Sequence, residues 1–278
     1  MGDETMIETR AIEVVDGSLS ASSAGTRDRP AVVMVHGGLT HSQMWSPLLS
    51  ALRDDIFGIA YDCRCFGRST TMVDGTYSDI DDLARVFQAF DVDAAFLMGE
   101  SRGARIALDF ALACPDKVRG LFLLSPDISG FDAPVTPEEK ELFEAIEAAD
   151  EASAIEDLIA CESRLWIDGP TRGAAEEREH LRTRVAEMSR VNYAQQGDPP
   201  DFTALEPPAA GRLTEIVCPV RVLVGDADTV GTRTMAAAIA CTCPQATLST
   251  IANAAHLLTL ERPGDIESEL RSWLRHHC

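Results

Sequence analysis

The sequence predicts an α/β domain, with a mostly parallel, doubly wound sheet of eight strands and a helical cap inserted into it. Three observations carry that reading. Short, uniformly apolar runs recur along the chain, as parallel strands buried on both faces require. Helix-like segments alternate with them, which implies right-handed crossover units. One stretch, 127–213, breaks the rhythm: it has no strand-like run, and Pro, Gly and acidic residues become frequent.

In chain order, TMIETRAIEVVDGSLSAS alternates like a hairpin turning at Asp16-Gly17, an antiparallel edge. The buried strands follow as AVVMV (31–35), FGIAY (57–61), AAFLM (94–98), LFLL (121–124), VRVLV (220–224) and the strand-like ATLSTI (246–251). Between and after them, SPLLSALRDD, SDIDDLARVFQAF, SRGARIALDFALACP, TMAAAIACTC and PGDIESELRSWLRHH read as helices. Inside 127–213, apolar residues fall at helical spacing: Leu142, Phe143 and Ile146, then Ile155, Leu158 and Ile159, then Leu181, Val185 and Met188. A helical cap between the sixth and seventh strands follows, with 1–126 and 214–278 as the core domain. The segment GDPPDFTALEPPAAG (197–211) reads as a flexible return linker.

Composition narrows the function. The 278 residues, 45% hydrophobic and 25% charged, suffice for one large domain with an insertion. Lys and Arg number 24 against 45 Asp and Glu, a formal net charge of -21, which argues against nucleic acid and against an anionic membrane surface. No run reaches the roughly 18–20 apolar residues that span a bilayer. The opening MGDETMIETR lacks the basic and apolar blocks of a signal peptide, so a cytoplasmic protein is expected. Its eight cysteines are scattered rather than grouped in a compact framework, the pattern of reduced thiols. Cys63-x-Cys65 and Cys241-x-Cys243 are one residue short of the usual zinc pair and have no nearby histidine. His276-His277-Cys278 reads as a frayed helix end. No metal and no cofactor are expected.

Chemistry is concentrated in a few places. Gly99-Glu100-Ser101-Arg102-Gly103 puts a serine between a predicted strand and a predicted helix. A sharp turn there forces strained backbone angles on the serine and leaves room only for tiny residues two positions away. A serine so presented needs a base, and that base needs an acid to orient it. Of six histidines, His256 sits just past ATLSTI and before the last helix, at the edge of the sheet where loops gather. VLVGDADTVGT offers two acids, Asp226 and Asp228; Asp228 lies deeper in the loop, whereas Asp226 at the strand end can simply cap the turn. For a developing oxyanion, the glycine-rich turn in VMVHGGLTHSQMW offers the Gly38 N–H, shaped by His36 and Gly37. The Arg102 N–H at the start of the following helix is the second donor.

Together HGGLTHSQMW (36–45), DCRCFGRST (62–70), MGESRGARIAL (98–108), LVGDADTV (223–230) and NAAHLLTLERP (253–263) make the chain resemble the α/β-hydrolase superfamily, in its branch of capped esterases and lactonases such as 3-oxoadipate enol-lactonase. The resemblance implies the α/β-hydrolase fold. It assigns Ser101 as nucleophile, Asp228 as acid and His256 as base, with Glu261 and Pro263 matching the usual Glu-x-Pro and Gly38 and Arg102 on the oxyanion positions. Serine at 101 speaks against epoxide and haloalkane chemistry, which resembling enzymes run through an aspartyl ester. Two departures stand out: Cys65 replaces a glycine of the family's Asp-x-Arg-Gly-x-Gly, and Ala104 replaces a frequent second glycine of the elbow. Asp62 and Arg64 are expected to form a structural ion pair.

The expected activity is hydrolysis of an ester or lactone of a small, moderately apolar molecule through an acyl-enzyme, by a monomer or homodimer. Carbon–carbon bond hydrolysis of a vinylogous diketone with the same three residues is the nearest alternative. A non-catalytic ligand-binding relative and a cofactor-independent oxygenase or lyase are the others. Substrate contacts are expected from Trp45 and Trp166, and the Arg102 side chain either clamps a substrate carboxylate or pairs with a carboxylate of the core or cap.

Overall fold

The computed structural model describes residues 7–71, 75–195 and 201–278. The first four expected residues of the return linker, 197–200, and the start of the opening segment lie outside that range.

Eight strands form the continuous path of one sheet: β1 (Glu8–Val14), β2 (Gly17–Ala24), β3 (Ala31–Val35), β4 (Phe57–Tyr61), β5 (Ala95–Glu100), β6 (Val118–Leu124), β7 (Val220–Gly225) and β8 (Ala246–Ile251). Their spatial order is β1-β2-β4-β3-β5-β6-β7-β8. The β1–β2 and β2–β4 pairs are antiparallel, and every later pair is parallel. A two-residue strand, Thr70–Thr71, pairs with β2 and brings the sheet to nine, one more than the apolar runs predict. It is too short and too polar to show as a periodic signal. The hairpin turns where Asp16-Gly17 predicts, with Asp16 at φ 55.

Side chains alternate along the buried strands, so each face carries its own core. In β5, Leu97 packs with Leu83, Val86 and Phe87 of α2 (Asp79–Ala89) and Ile106 and Phe110 of α3 (Arg102–Ala113) on one face. Phe96 and Met98 pack on the other with Leu48, Leu49 and Leu52 of α1 (Ser46–Leu52). The helices have local causes. Ser78 caps α2 by accepting the Asp81 N–H, with three acids in the first turn to match the helix dipole.

The stretch between β6 and β7 carries the helices α4 (Pro137–Glu151), α5 (Ile155–Ser163) and α6 (Glu179–Tyr193), with a π-helical turn at Arg164–Asp168 extending α5. Thr136 and Glu139 form a reciprocal capping box that starts α4. The return segment is less free than its Pro and Gly content predicts, because Asp201–Phe202 pairs with Thr76–Tyr77. After β7 come α7 (Val230–Thr242), α8 (Leu258–Glu261) and α9 (Pro263–His277). All eight cysteines are free thiols. Among the described residues no helix is long and apolar enough to cross a membrane.

Candidate active site

Ser101 sits between β5 and α3 at φ 56 and ψ -121, a left-handed conformation that costs a non-glycine residue on the order of 1–3 kcal/mol. The surroundings hold it there. Its N–H donates to Leu124 O at 2.9 Å, and its carbonyl accepts the Ala104 N–H at 2.9 Å. A Cβ on Gly99 would lie 2.3 Å from Gly103 O, and one on Gly103 would lie 2.0 Å from Val35 O. Both glycines of Gly-x-Ser-x-Gly are therefore steric requirements.

The same stitching continues across the C-terminal edge of the sheet. Ser125 N–H donates to Leu223 O at 2.8 Å, Asp226 N–H to Ile251 O at 3.1 Å and Ala227 N–H to Ala254 O at 3.0 Å. The loops after β5, β6, β7 and β8 are thereby gathered on one edge. There the two acids separate: Asp226 is exposed, whereas Asp228 is buried with its carboxylate 2.9 and 3.0 Å from His256 Nδ1. Asp228 Oδ1 also accepts the Thr229 N–H at 2.7 Å. A carboxylate on Nδ1 fixes that nitrogen as the donor and leaves Nε2 basic. Burial pushes the His256 pKa down, the Asp228 carboxylate together with Glu100 and Asp127 pushes it up, and the net displacement is upward.

The glycine-rich turn after β3 packs on the elbow, since a Cβ on Gly37 would meet Ser101 Cβ and Glu100 O at 3.4 Å each. Gly38 follows it, and a methyl group added there would have nothing within 4 Å. His36 braces the turn: its Nδ1 lies 2.7 Å from Gly37 O and its Nε2 accepts the Cys63 N–H at 3.0 Å. Burial lowers its pKa to about 4, so it stays neutral and structural.

The sequence pattern of the Alpha/beta hydrolase family matches residues 32–269. The chain belongs to that family. A haloalkane dehalogenase of Bradyrhizobium diazoefficiens is 33% identical over 119 residues, 41% of this chain and 38% of the relative. The 3-oxoadipate enol-lactonase 1 of Acinetobacter baylyi is 24% identical over 222 residues, 78% of each chain. The crystal structure of an esterase, RhEst1 from Rhodococcus sp. ECU1013, superposes with a TM-score of 0.76 at 23% identity, covering 98% of this chain and 99% of that one. The matches to the first curated relatives span only about two fifths of those proteins' length.

Within this α/β-hydrolase, several side chains depart from expectation. The Arg102 guanidinium is engaged by Asp79 of α2, at 2.9 and 3.1 Å, and lies over the Phe66 ring. Of the two expected roles, pairing with a core carboxylate is the one this geometry shows. Trp45 is fully buried among core residues, so it does not line an opening. Trp166 does reach the site: its ring centroid is 4.3 Å from that of His256. Asp62 and Arg64 do not pair. Asp62 accepts the N–H groups of Ser42 at 2.7 Å and Arg68 at 2.8 Å, while Arg64 turns to Asp82 of α2 at 2.7 and 2.9 Å. Cys65 adopts φ 64, the conformation a glycine takes without strain.

Glu100 carries more than its sequence context reveals. It is completely buried, and its Oε1 accepts the Thr259 N–H at 3.0 Å, three residues past His256. Burial pushes its pKa up to about 7, against opposing contributions from the Thr259 N–H and from His256. No local signal marks this role, because its partner lies 159 residues away.

Proposed function

We propose that this α/β-hydrolase is a serine hydrolase that cleaves an ester or lactone of a small, moderately apolar molecule. The observation that carries the reading is the buried Asp228–His256 hydrogen bond of 2.9 Å on the edge that also presents Ser101 at φ 56. Ser101 Oγ attacks the carbonyl while His256 Nε2 takes its proton. Asp228 keeps the imidazole in the required tautomer and stabilises its charged form. The N–H groups of Gly38 and Arg102 receive the oxyanion, the second one favoured by the start of α3. His256 then returns the proton to the leaving oxygen, and water releases the acyl group by the reverse sequence.

Residues 127–213 act as the cap over this centre, and Trp166 is its direct contribution. The esterase and enol-lactonase relatives support the ester or lactone class. Serine at 101 supports an acyl-enzyme rather than an aspartyl ester, despite the dehalogenase relative. The protein is read as cytoplasmic and as a monomer or homodimer.

The test is a fluorophosphonate label on wild type and S101A, followed by a panel of esters, lactones, thioesters, amides and a vinylogous diketone. Labelling of the wild type alone, with turnover of esters or lactones, is expected. An unlabelled wild type would overturn the hydrolase reading, and turnover of the diketone alone would replace it by carbon–carbon hydrolysis.

A further inference from the structure

Trp166 lies in the π-helical turn Arg164–Asp168, and its position is held from several sides. Its ring plane is tilted 44° to the His256 imidazole at a centroid separation of 4.3 Å, and Phe143 of α4 meets the indole edge-on at 5.9 Å. The Trp166 carbonyl accepts the His256 N–H at 3.2 Å. Arg172 clamps the turn: it donates to Ile167 O at 2.9 Å and Asp168 O at 2.6 Å, and reaches Asn253 O and Glu261 Oε1, both at 2.9 Å. The Asp168 carboxylate takes Arg178 and Arg182 at 3.0 and 2.7 Å. Backbone and side chain alike therefore fix the indole beside this one imidazole.

The face of an indole is electron-rich and attracts a cation within about 6 Å of its centre. On the proposed reading, the active enzyme holds a neutral imidazole that becomes a cation when it takes the proton of Ser101, so on the alkaline side of the His256 titration the attraction grows as the transition state is approached and is weak before it.

We infer that Trp166 is a positioning residue for the base, an aromatic platform that holds His256 and stabilises its imidazolium form. The inference rests on His256 acting as the base. Three titratable acids also bear on His256: Asp228 from the loop after β7, Glu100 from the end of β5, which is ionised only above about pH 7, and Asp127 from the segment after β6. All three are acids that favour the charged ring and are independent of Trp166. The platform adds to them from the fourth side, where the insertion packs, and does so without a charge that would have to be desolvated.

The test compares wild type, W166F and W166L in two measurements. In the first, the acidic limb of the kcat/KM profile on a neutral p-nitrophenyl ester moves to lower pH, by about half a unit in W166F and about one unit in W166L. At the plateau kcat falls about tenfold in W166L with a smaller change in KM. A side chain that only lined the substrate pocket would move KM and leave the limb in place.

The second measurement is tryptophan emission against pH without any ester, because contact with an imidazolium quenches indole. Emission is expected to rise through the His256 titration in wild type, and this component is lost in W166F and in H256Q. Trp273 also touches a histidine, His277, at 4.9 Å, so the H277Q variant is the control and keeps the component. An acidic limb unmoved in W166L, or a titrating emission that survives in the W166F/H277Q double variant, overturns the platform. A protein that hydrolyses nothing on the panel yet shows the emission change overturns the hydrolase reading instead, so the two failures are distinguishable.

Discussion

Arg172 of the helical insertion meets Glu261 of α8 at 2.9 Å, and the same Glu261 carboxylate accepts the Ala255 N–H at 2.7 Å, one residue before His256. The insertion and the histidine loop are thus joined through one mostly buried ion pair, and each end of it makes further hydrogen bonds. Breaking such a pair leaves polar groups without partners, a larger loss than the pair's own net contribution.

R172M should therefore lower stability by about 1–3 kcal/mol and reduce kcat, because the Trp166 turn and the His256 loop loosen together. Calorimetry and steady-state kinetics on R172M, E261Q and the double variant provide the check. Strictly additive effects in that cycle would show that the two residues act independently.

D228N is expected to lower kcat by about three to four orders of magnitude with little change in fold, since an amide on His256 Nδ1 favours the wrong tautomer. D226N should be near wild type, as the Asp226 residue is exposed and it is Asp228 that holds the imidazole. Kinetics on the two variants decide the matter; the reverse ranking would exchange their roles.

At the elbow, G103A should cost on the order of 3 kcal/mol or more, because the new methyl would sit 2.0 Å from Val35 O and the backbone would have to part. G38A offers the contrast, with open space at the methyl position and a thermal midpoint close to wild type. Equal melting temperatures for wild type and G103A would contradict the geometry.

Glu100 predicts a pH dependence of stability with a definite sign. Its pKa rises from the ordinary value of 4.5 to about 7 on folding, so between these values the folded state holds a proton that the unfolded state has lost. Stability then falls as pH rises through that window and levels off above it, a loss on the order of 3 kcal/mol in all. E100Q keeps the acceptor for the Thr259 N–H and removes the titration. Urea melts at pH 5 and pH 8 should show it gaining on wild type at the higher pH; a constant difference would refute the buried, titrating carboxyl.

Much of the architecture is legible in the amino-acid order. The strands AVVMV and FGIAY coincide with β3 and β4, and PGDIESELRSWLRHH with α9, because burial on both faces or on one helical stripe writes itself into local periodicity. The strained serine is legible for the same reason: its glycines, preceding strand and following helix all lie within a dozen or so residues. Asp62 and Arg64 look like partners in sequence and are not, because nearness along the chain does not fix side-chain direction, and α2 supplies Asp82 where Arg64 points.

The order of apolar runs, turns and motifs along the chain was enough to determine the layered architecture, the helical insertion and the identity of Ser101 and His256 as candidates, since each depends on neighbours a few residues away. The preference for Asp228 over Asp226 was also legible, from its depth in the loop; which carboxylate occupies Arg102 and which tryptophan lies against the imidazole were decided only in three dimensions. Those two contacts join residues 23 and 90 positions apart. Their geometry follows from how the sheet edge gathers its loops and how the insertion packs over them, and no local pattern of residue types carries that information.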